Sequence, residues 1–241
     1  GSALGIPHHM RGRARLVIDS AMTGPNTDID SAAAHTIEGL EWTASSDSPT
    51  TAVAGASGTQ VSGNSATSYE LRAEIPGVSS TDLLCLMVDI DITTMAKNSQ
   101  TMWIKLAQGT GETAEDVIIT YRRTSASSYR FRPGYRNSSG SYSLGYMGDN
   151  PTASSVGRIQ LMLYGHGNVW RAVCGTDTTK PGFNGVTAAA NATGRIVSRS
   201  SGSVAGATPP LMRYIKVGWN FYSGDLDATV KRVILYRAGI G

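Results

Sequence analysis

The sequence predicts an all-β fold, two antiparallel sheets packed as a sandwich, and three observations predict it. Short runs of β-branched and aromatic residues alternate with period two, Gly, Pro, Asn or Ser bounds most of them, and sustained helical periodicity is scarce. A length of 241 residues suits a single all-β unit. Only 16% of residues are charged and 28 are Gly, a composition that favours short strands with many turns over coiled coil or charge-rich disorder.

Residues 1–15 read as a flexible N-terminal arm without an apolar leader core, and residues 16–241 as one sandwich domain. The strands are then "RARLVID", "SYELRAEI", "LLCLMVDIDI", "TMWIKLAQ", "DVIITYRR", "SYRFRPGY", "RIQLMLYG", "NVWRAVCG", "LMRYIKVGWNFY" and "VKRVILYR". Gly165-His166-Gly167-Asn168 supplies the permissive backbone of a tight hairpin. "RIQLMLYG" has consecutive apolar residues, as a strand covered on both faces would. A turn at Gly224-Asp225 precedes a last strand whose Val230, Val233 and Leu235 point inward. The low-complexity stretches 44–68 and 198–210 read as long loops, and "DSAAAHTIEGLEW" and "GVTAAANATG" are the best, though short and interrupted, helix candidates.

Cys85 and Cys174 read as reduced core thiols. No run of about 18 apolar residues is present, so no segment of this sequence reads as a transmembrane helix. The net charge of +3 is local, because residues 121–146 contribute +5 and leave the remainder at −2. That distribution argues against nucleic acid as a partner, since such a partner calls for basic residues spread over a face.

Catalytic and metal motifs are missing. Asp89 and Asp91 lie on one face of one strand, and Glu70 and Glu74 flank Arg72, so these acids read as a solvent-facing polar side and not as an opposed catalytic pair. The Asp28/Asp30 and Asp225/Asp227 pairs leave calcium open, but each offers two carboxylates where the ion takes six to eight oxygens, and no other cofactor is called for. His35 and His166 stand apart from acids and thiols at ligand spacing, and no nucleophile elbow or phosphate loop occurs.

The segment "SYRFRPGYR" is the candidate binding element. Alternation puts Tyr129 and Phe131 on one face, Arg130 and Arg132 on the other, with Pro133-Gly134 turning the chain and Tyr135 and Arg136 added from the turn. Guanidinium forks match carboxylates and sulfates, and a Tyr ring stacks on a sugar. The plainer reading is that Arg lies over apolar neighbours and Tyr simply favours strands. Trp103, Trp170 and Trp219 are further sugar-stacking candidates, although a core or partly buried place is the commoner one for Trp.

"YIKVGWNFYSGDLDATVKRVILYR" resembles the closing strands of concanavalin A-like jelly rolls, the fold of legume lectins, laminin-G-like modules and many polysaccharide lyases. Tyr214, Lys216 and Gly218 match the Tyr-x-Lys-x-Gly-x-Tyr-x-Gln strand of alginate lyases, while Asn220 and Tyr222 replace its catalytic Tyr and its Gln. Glu70, Leu71 and Arg72 match an Arg-x-Glu-Leu-Arg strand in which Ser68 replaces the first Arg, and the Gln-Ile-His motif is absent. The resemblance implies a jelly roll that has lost lyase chemistry and keeps a ligand-facing strand with Lys216, Trp219, Asn220 and Tyr222. The expectation is a non-catalytic carbohydrate-binding module, virion-borne or extracellular, that takes acidic polysaccharide and assembles as an oligomer. A purely structural virion subunit and a diverged polysaccharide-degrading enzyme are the alternatives.

Overall fold

The computed structural model describes residues 15–45, 51–79, 82–136, 142–144, 152–153, 156–167, 169–176, 197–198 and 211–239. Its strands are β1 (Arg15–Ser20), β2 (Thr27–Asp28), β3 (His35–Ile37), β4 (Leu40–Ala44), β5 (Thr51–Gly55) and β6 (Gly58–Gly63). There follow β7 (Ser68–Glu74), β8 (Asp82–Met95), β9 (Thr101–Ala107), β10 (Asp116–Ser125), β11 (Ser128–Arg136) and β12 (Tyr142–Leu144). The last six are β13 (Thr152–Ala153), β14 (Arg158–His166), β15 (Val169–Thr176), β16 (Val197–Ser198), β17 (Tyr214–Asn220) and β18 (Leu226–Gly239). No helix occurs among the described residues, so none is long and apolar enough to cross a membrane.

Two antiparallel sheets make a jelly-roll sandwich. One has the order β16-β15-β14-β8-β18-β6-β5-β2, with β1 also on β18; the other runs β12-β11-β10-β9-β17-β7-β4-β3, with β13 also on β11. Inward residues of both sheets form one core, because period-two alternation aims Leu84, Leu86, Val88 and Ile90 of β8 at Met102, Ile104 and Leu106 of β9. The 14-residue β18 is central: β8 pairs along one edge, while β6 and β1 share the other. A bulge between Val230 and Arg232 explains how Val230, Val233 and Leu235 all reach the core despite their odd spacing. Strand β14 is buried along nearly its whole length between β8 and β15, and its turn to β15 uses Gly167 at φ 55°, while Asn168 lies outside the described residues.

Several local expectations are corrected. The stretch 44–68 holds the β5–β6 hairpin, because Ala52, Ala54 and Val61 are buried against the core. The helix candidate at 30–42 is the β3–β4 hairpin, turned by Glu38 and Gly39 at φ 48° and 88°; the second helix candidate lies outside the described residues. Pro133 and Gly134 do not turn the chain but continue β11, opposite Ile119 and Ile118. Asp89 is buried and ion-paired with Arg158 on the outer face of the β8 sheet, not solvated, and Asp30 pairs with His35 at 2.9 Å. Cys85 and Cys174 form no disulfide and point to opposite faces of that sheet, one into a small outer cluster and the other into the core.

Candidate functional site

Strand register assembles the site on the outer face of the β9 sheet. Inward alternation takes Met102, Ile104, Val117, Ile119, Tyr121, Tyr129 and Phe131 into the core and leaves Thr101, Trp103, Lys105, Thr120, Arg122, Arg130 and Arg132 outside. Across the strands, Arg132 is opposite Thr120, Thr120 opposite Trp103, Trp103 opposite Gly218, and Gly218 opposite Glu70. The two segments that carry the family likeness are therefore neighbours, with Lys216 beside Arg72.

A cavity of about 300 Å³ opens on this face, lined by Trp103, Lys105, Thr120, Arg136, Glu70 and Asn220 among others. Trp103 forms its floor, 8% exposed, with its ring against the backbone of Gly218. A Cβ at Gly218 would lie 2.3 Å from Trp103 Nε1, so the ring fits only because residue 218 is Gly. Trp103 Nε1 donates to Glu70 Oε2 at 3.0 Å, which fixes the ring's orientation.

Glu70 anchors a buried charge cluster. Lys105 Nζ is 2.9 Å from Glu70 Oε2 and 3.7 Å from Asp116 Oδ2, Lys216 Nζ is 3.8 Å from Glu70 Oε1, and Arg72 Nε donates to Glu70 Oε1 at 3.3 Å. Burial pulls the Glu70 carboxyl up, but Lys105, Lys216 and the hydrogen bonds outweigh it and hold the group below the usual carboxylate range. Burial lowers Lys216 to about 8, helped by Lys105 and Arg72 and opposed by Glu70 and Asp116. Lys216 Nζ also donates to the carbonyls of Thr110 and Gly111, so it braces the loop over the sheet instead of reaching the cavity.

Beside the cavity runs a strip of Arg122, Arg130, Arg132 and Arg136, with Asp116 as the acid of that row, 4.0 Å from Arg136 Nε. The Nε atoms of Arg122 and Arg130 are buried without a hydrogen-bond acceptor among the described residues. Arg123 takes no part, since it donates to the carbonyls of Met95 and Ser125.

The predicted ligand residues thus divide. Arg130, Arg132, Arg136 and Asn220 share the outer face with Trp103, and Lys216 lies beneath them. Tyr135 does not: it is 7% exposed and belongs to the core with Tyr129 and Phe131, an even number of residues away. Trp219 is fully buried on the inner face against Tyr69, and Trp170 is likewise core. Tyr222 is 51% exposed in the turn after β17, at φ 47°, with Lys97 over its ring, and is off the sheet face. Thr101, Thr120 and Ser68, passed over in the sequence, line the cavity, and their parity with Trp103 and Glu70 is the signal that would have found them.

Among the described residues no three His, Cys, Asp or Glu side chains gather as a metal site, so the calcium reading gains nothing. No family model and no curated protein matches the chain. Among solved structures it is similar to Trypanosoma rangeli sialidase, with TM-score 0.54 and 12% identity over 94% of this chain but 31% of the sialidase's length. It is also similar to an uncharacterised protein from Mycobacterium paratuberculosis, with TM-score 0.52 and 8% identity over 90% and 99% of the two chains. The fold they share with this chain is a two-sheet antiparallel jelly-roll sandwich. Another similar structure is lectin II from Ulex europaeus, with TM-score 0.49 and 8% identity over 92% of this chain and 97% of the lectin. At these identities the likeness concerns fold alone. Asn220 ends β17, and its amide Oδ1 accepts from the Tyr222 backbone N at 3.0 Å.

Proposed function

We propose that this jelly roll is a non-catalytic carbohydrate-binding module that takes acidic polysaccharide on the outer face of the β9 sheet. The observation that carries the reading is the strip of Arg122, Arg130, Arg132 and Arg136 beside the Trp103 cavity, with the Nε–H groups of Arg122 and Arg130 buried and without an acceptor among the described residues, while Arg122 Nη2 donates to Ser99 Oγ. A carboxylate or sulfate would satisfy them, since an unpaired buried donor costs about 1–3 kcal/mol. Thr101, Thr120, Ser68 and Asn220 offer hydroxyl and amide partners for sugar hydroxyls. A non-catalytic role fits the absence of a proton-transferring group at Asn220, because an amide cannot serve as general base. We place the module on a virion or in an extracellular protein, and in an oligomer, on its charge-poor, Gly-rich composition.

The test is retention on immobilised polygalacturonate, hyaluronan and chondroitin sulfate against neutral dextran. The wild type is retained on an acidic matrix and not on dextran, and Arg130→Ala with Arg132→Ala weakens binding about tenfold or more, the equivalent of 1.4 kcal/mol. Equal retention on dextran, or retention unchanged in the double variant, contradicts the reading. Ultraviolet absorbance from unsaturated sugar products would replace it with the lyase alternative.

A further inference from the structure

The binding face does not end at Trp103. Arg72, which lines the first cavity, also lines a second of about 450 Å³, bounded by Tyr214, Glu41, Glu74, Thr43 and Thr110. Register places Glu74 opposite Tyr214, and Arg72 opposite both Lys216 and Thr43, so the second cavity continues the first across β17, β7 and β4.

Along that path the charge changes sign. Toward β11 stand four arginines against Asp116; toward β4 stand the exposed Glu41 and Glu74, with Arg72 already bonded to Glu70. Four inter-strand spacings, about 19 Å, separate β11 from β7. Glu112 adds one carboxylate to the lining of the first cavity, against Lys105, Arg72 and Arg136 there. A polymer with an acid on every residue would set one of its carboxylates against Glu41 and Glu74, and like charges brought together oppose binding. A hydroxyl-bearing sugar without an acid meets no such opposition: Glu41 and Glu74 accept its hydrogen bonds, and Tyr214 supplies a ring and a hydroxyl.

Resting on the glycan-binding reading of this face, we propose that the Tyr214 cavity is a second sugar subsite for an uncharged residue of the same chain. The preferred ligand is then a heteropolysaccharide that carries both acidic and neutral residues.

Two probes of equal length separate this from its foundation: hyaluronan oligosaccharide, which alternates glucuronate with N-acetylglucosamine, and oligogalacturonate, which is acidic at every residue. The wild type is expected to bind the hyaluronan probe at least tenfold more tightly in calorimetric titration. Glu41→Gln with Glu74→Gln removes most of that ratio by strengthening oligogalacturonate, and Tyr214→Ala weakens the hyaluronan probe. Equal affinities, or a preference for oligogalacturonate, overturn the second subsite while leaving arginine-dependent binding in place. No binding of either probe by protein with a native circular dichroism spectrum overturns the glycan-binding reading itself.

Discussion

At Gly218 the absence of a side chain decides where an indole ring sits. Gly218→Ala puts a Cβ within 2.4 Å of Trp103 Cε2, and because backbone holds one side and the Glu70 hydrogen bond the other, the ring must leave its place. The expected cost is about 1–3 kcal/mol in urea unfolding, together with a change in Trp fluorescence that a remote destabilisation would not give. Glu70→Gln leaves Lys105, Lys216 and Arg72 without their shared carboxylate, a loss of about 3–5 kcal/mol by the same measurement. Because the folded Glu70 carboxyl sits below its ordinary value, the stability it contributes is present above pH 4.5 and lost as pH falls through the folded value. Lys216 acts in the alkaline range: between about 8 and 10.5 the unfolded chain holds its proton more firmly, so stability rises with pH across that window. Lys216→Met should flatten that rise relative to the wild type in urea midpoints at successive pH values; an unchanged slope contradicts the placement of Lys216 beneath the loop.

The strands that could be read from the sequence are those whose side chains are large and alternate. In β9, β10 and β18 the inward Ile, Leu and Val residues set both the element and its face. The β5–β6 hairpin escaped because Ala, Ser and Gly, which carry little strand preference of their own, dilute its Thr and Val; packing of Ala52, Ala54 and Val61 decides it. Gly58 locks that hairpin to β18, with φ +120° and a notional Cβ only 2.5 Å from the Val230 carbonyl oxygen. Gly58→Ala therefore combines backbone strain with a clash against backbone, and should cost more than about 2 kcal/mol in urea unfolding; a shift within 0.5 kcal/mol would contradict the docking of β6 on β18. The binding face was legible by parity and partly misread. Tyr135 stands six residues from Tyr129 and shares its inward face, and Trp219 stands three from Lys216 and must oppose it, so neither could join the arginines on a regular strand. Alternation fixes which residues go together, whereas pairing β7 with β17 and β9 with β10 required the whole sheet.

Across the whole molecule the positive charge is a local feature of one sheet face. The segment 121–146 supplies Arg122, Arg130, Arg132 and Arg136 to the outside, while its aromatic residues Tyr121, Tyr129 and Phe131 pack inward with ring centroids 5.5 and 4.8 Å apart. Binding through such a strip weakens with added salt, because exposed charge is screened beyond about 8 Å at physiological ionic strength. The wild type should elute from an acidic polysaccharide matrix at higher salt than the Arg130→Ala, Arg132→Ala variant, and equal elution would assign the contact elsewhere. The four tryptophans give a residue-resolved reading of the same claim, since Trp42, Trp170 and Trp219 lie in the core and Trp103 on the outer face. Titrating hyaluronan oligosaccharide into 15N-labelled protein and following the indole N–H signals tests it most directly. The Trp103 signal should move while the other three stay; a static Trp103 signal at saturating ligand, with shifts confined to other parts of the molecule, would contradict a binding face at Trp103.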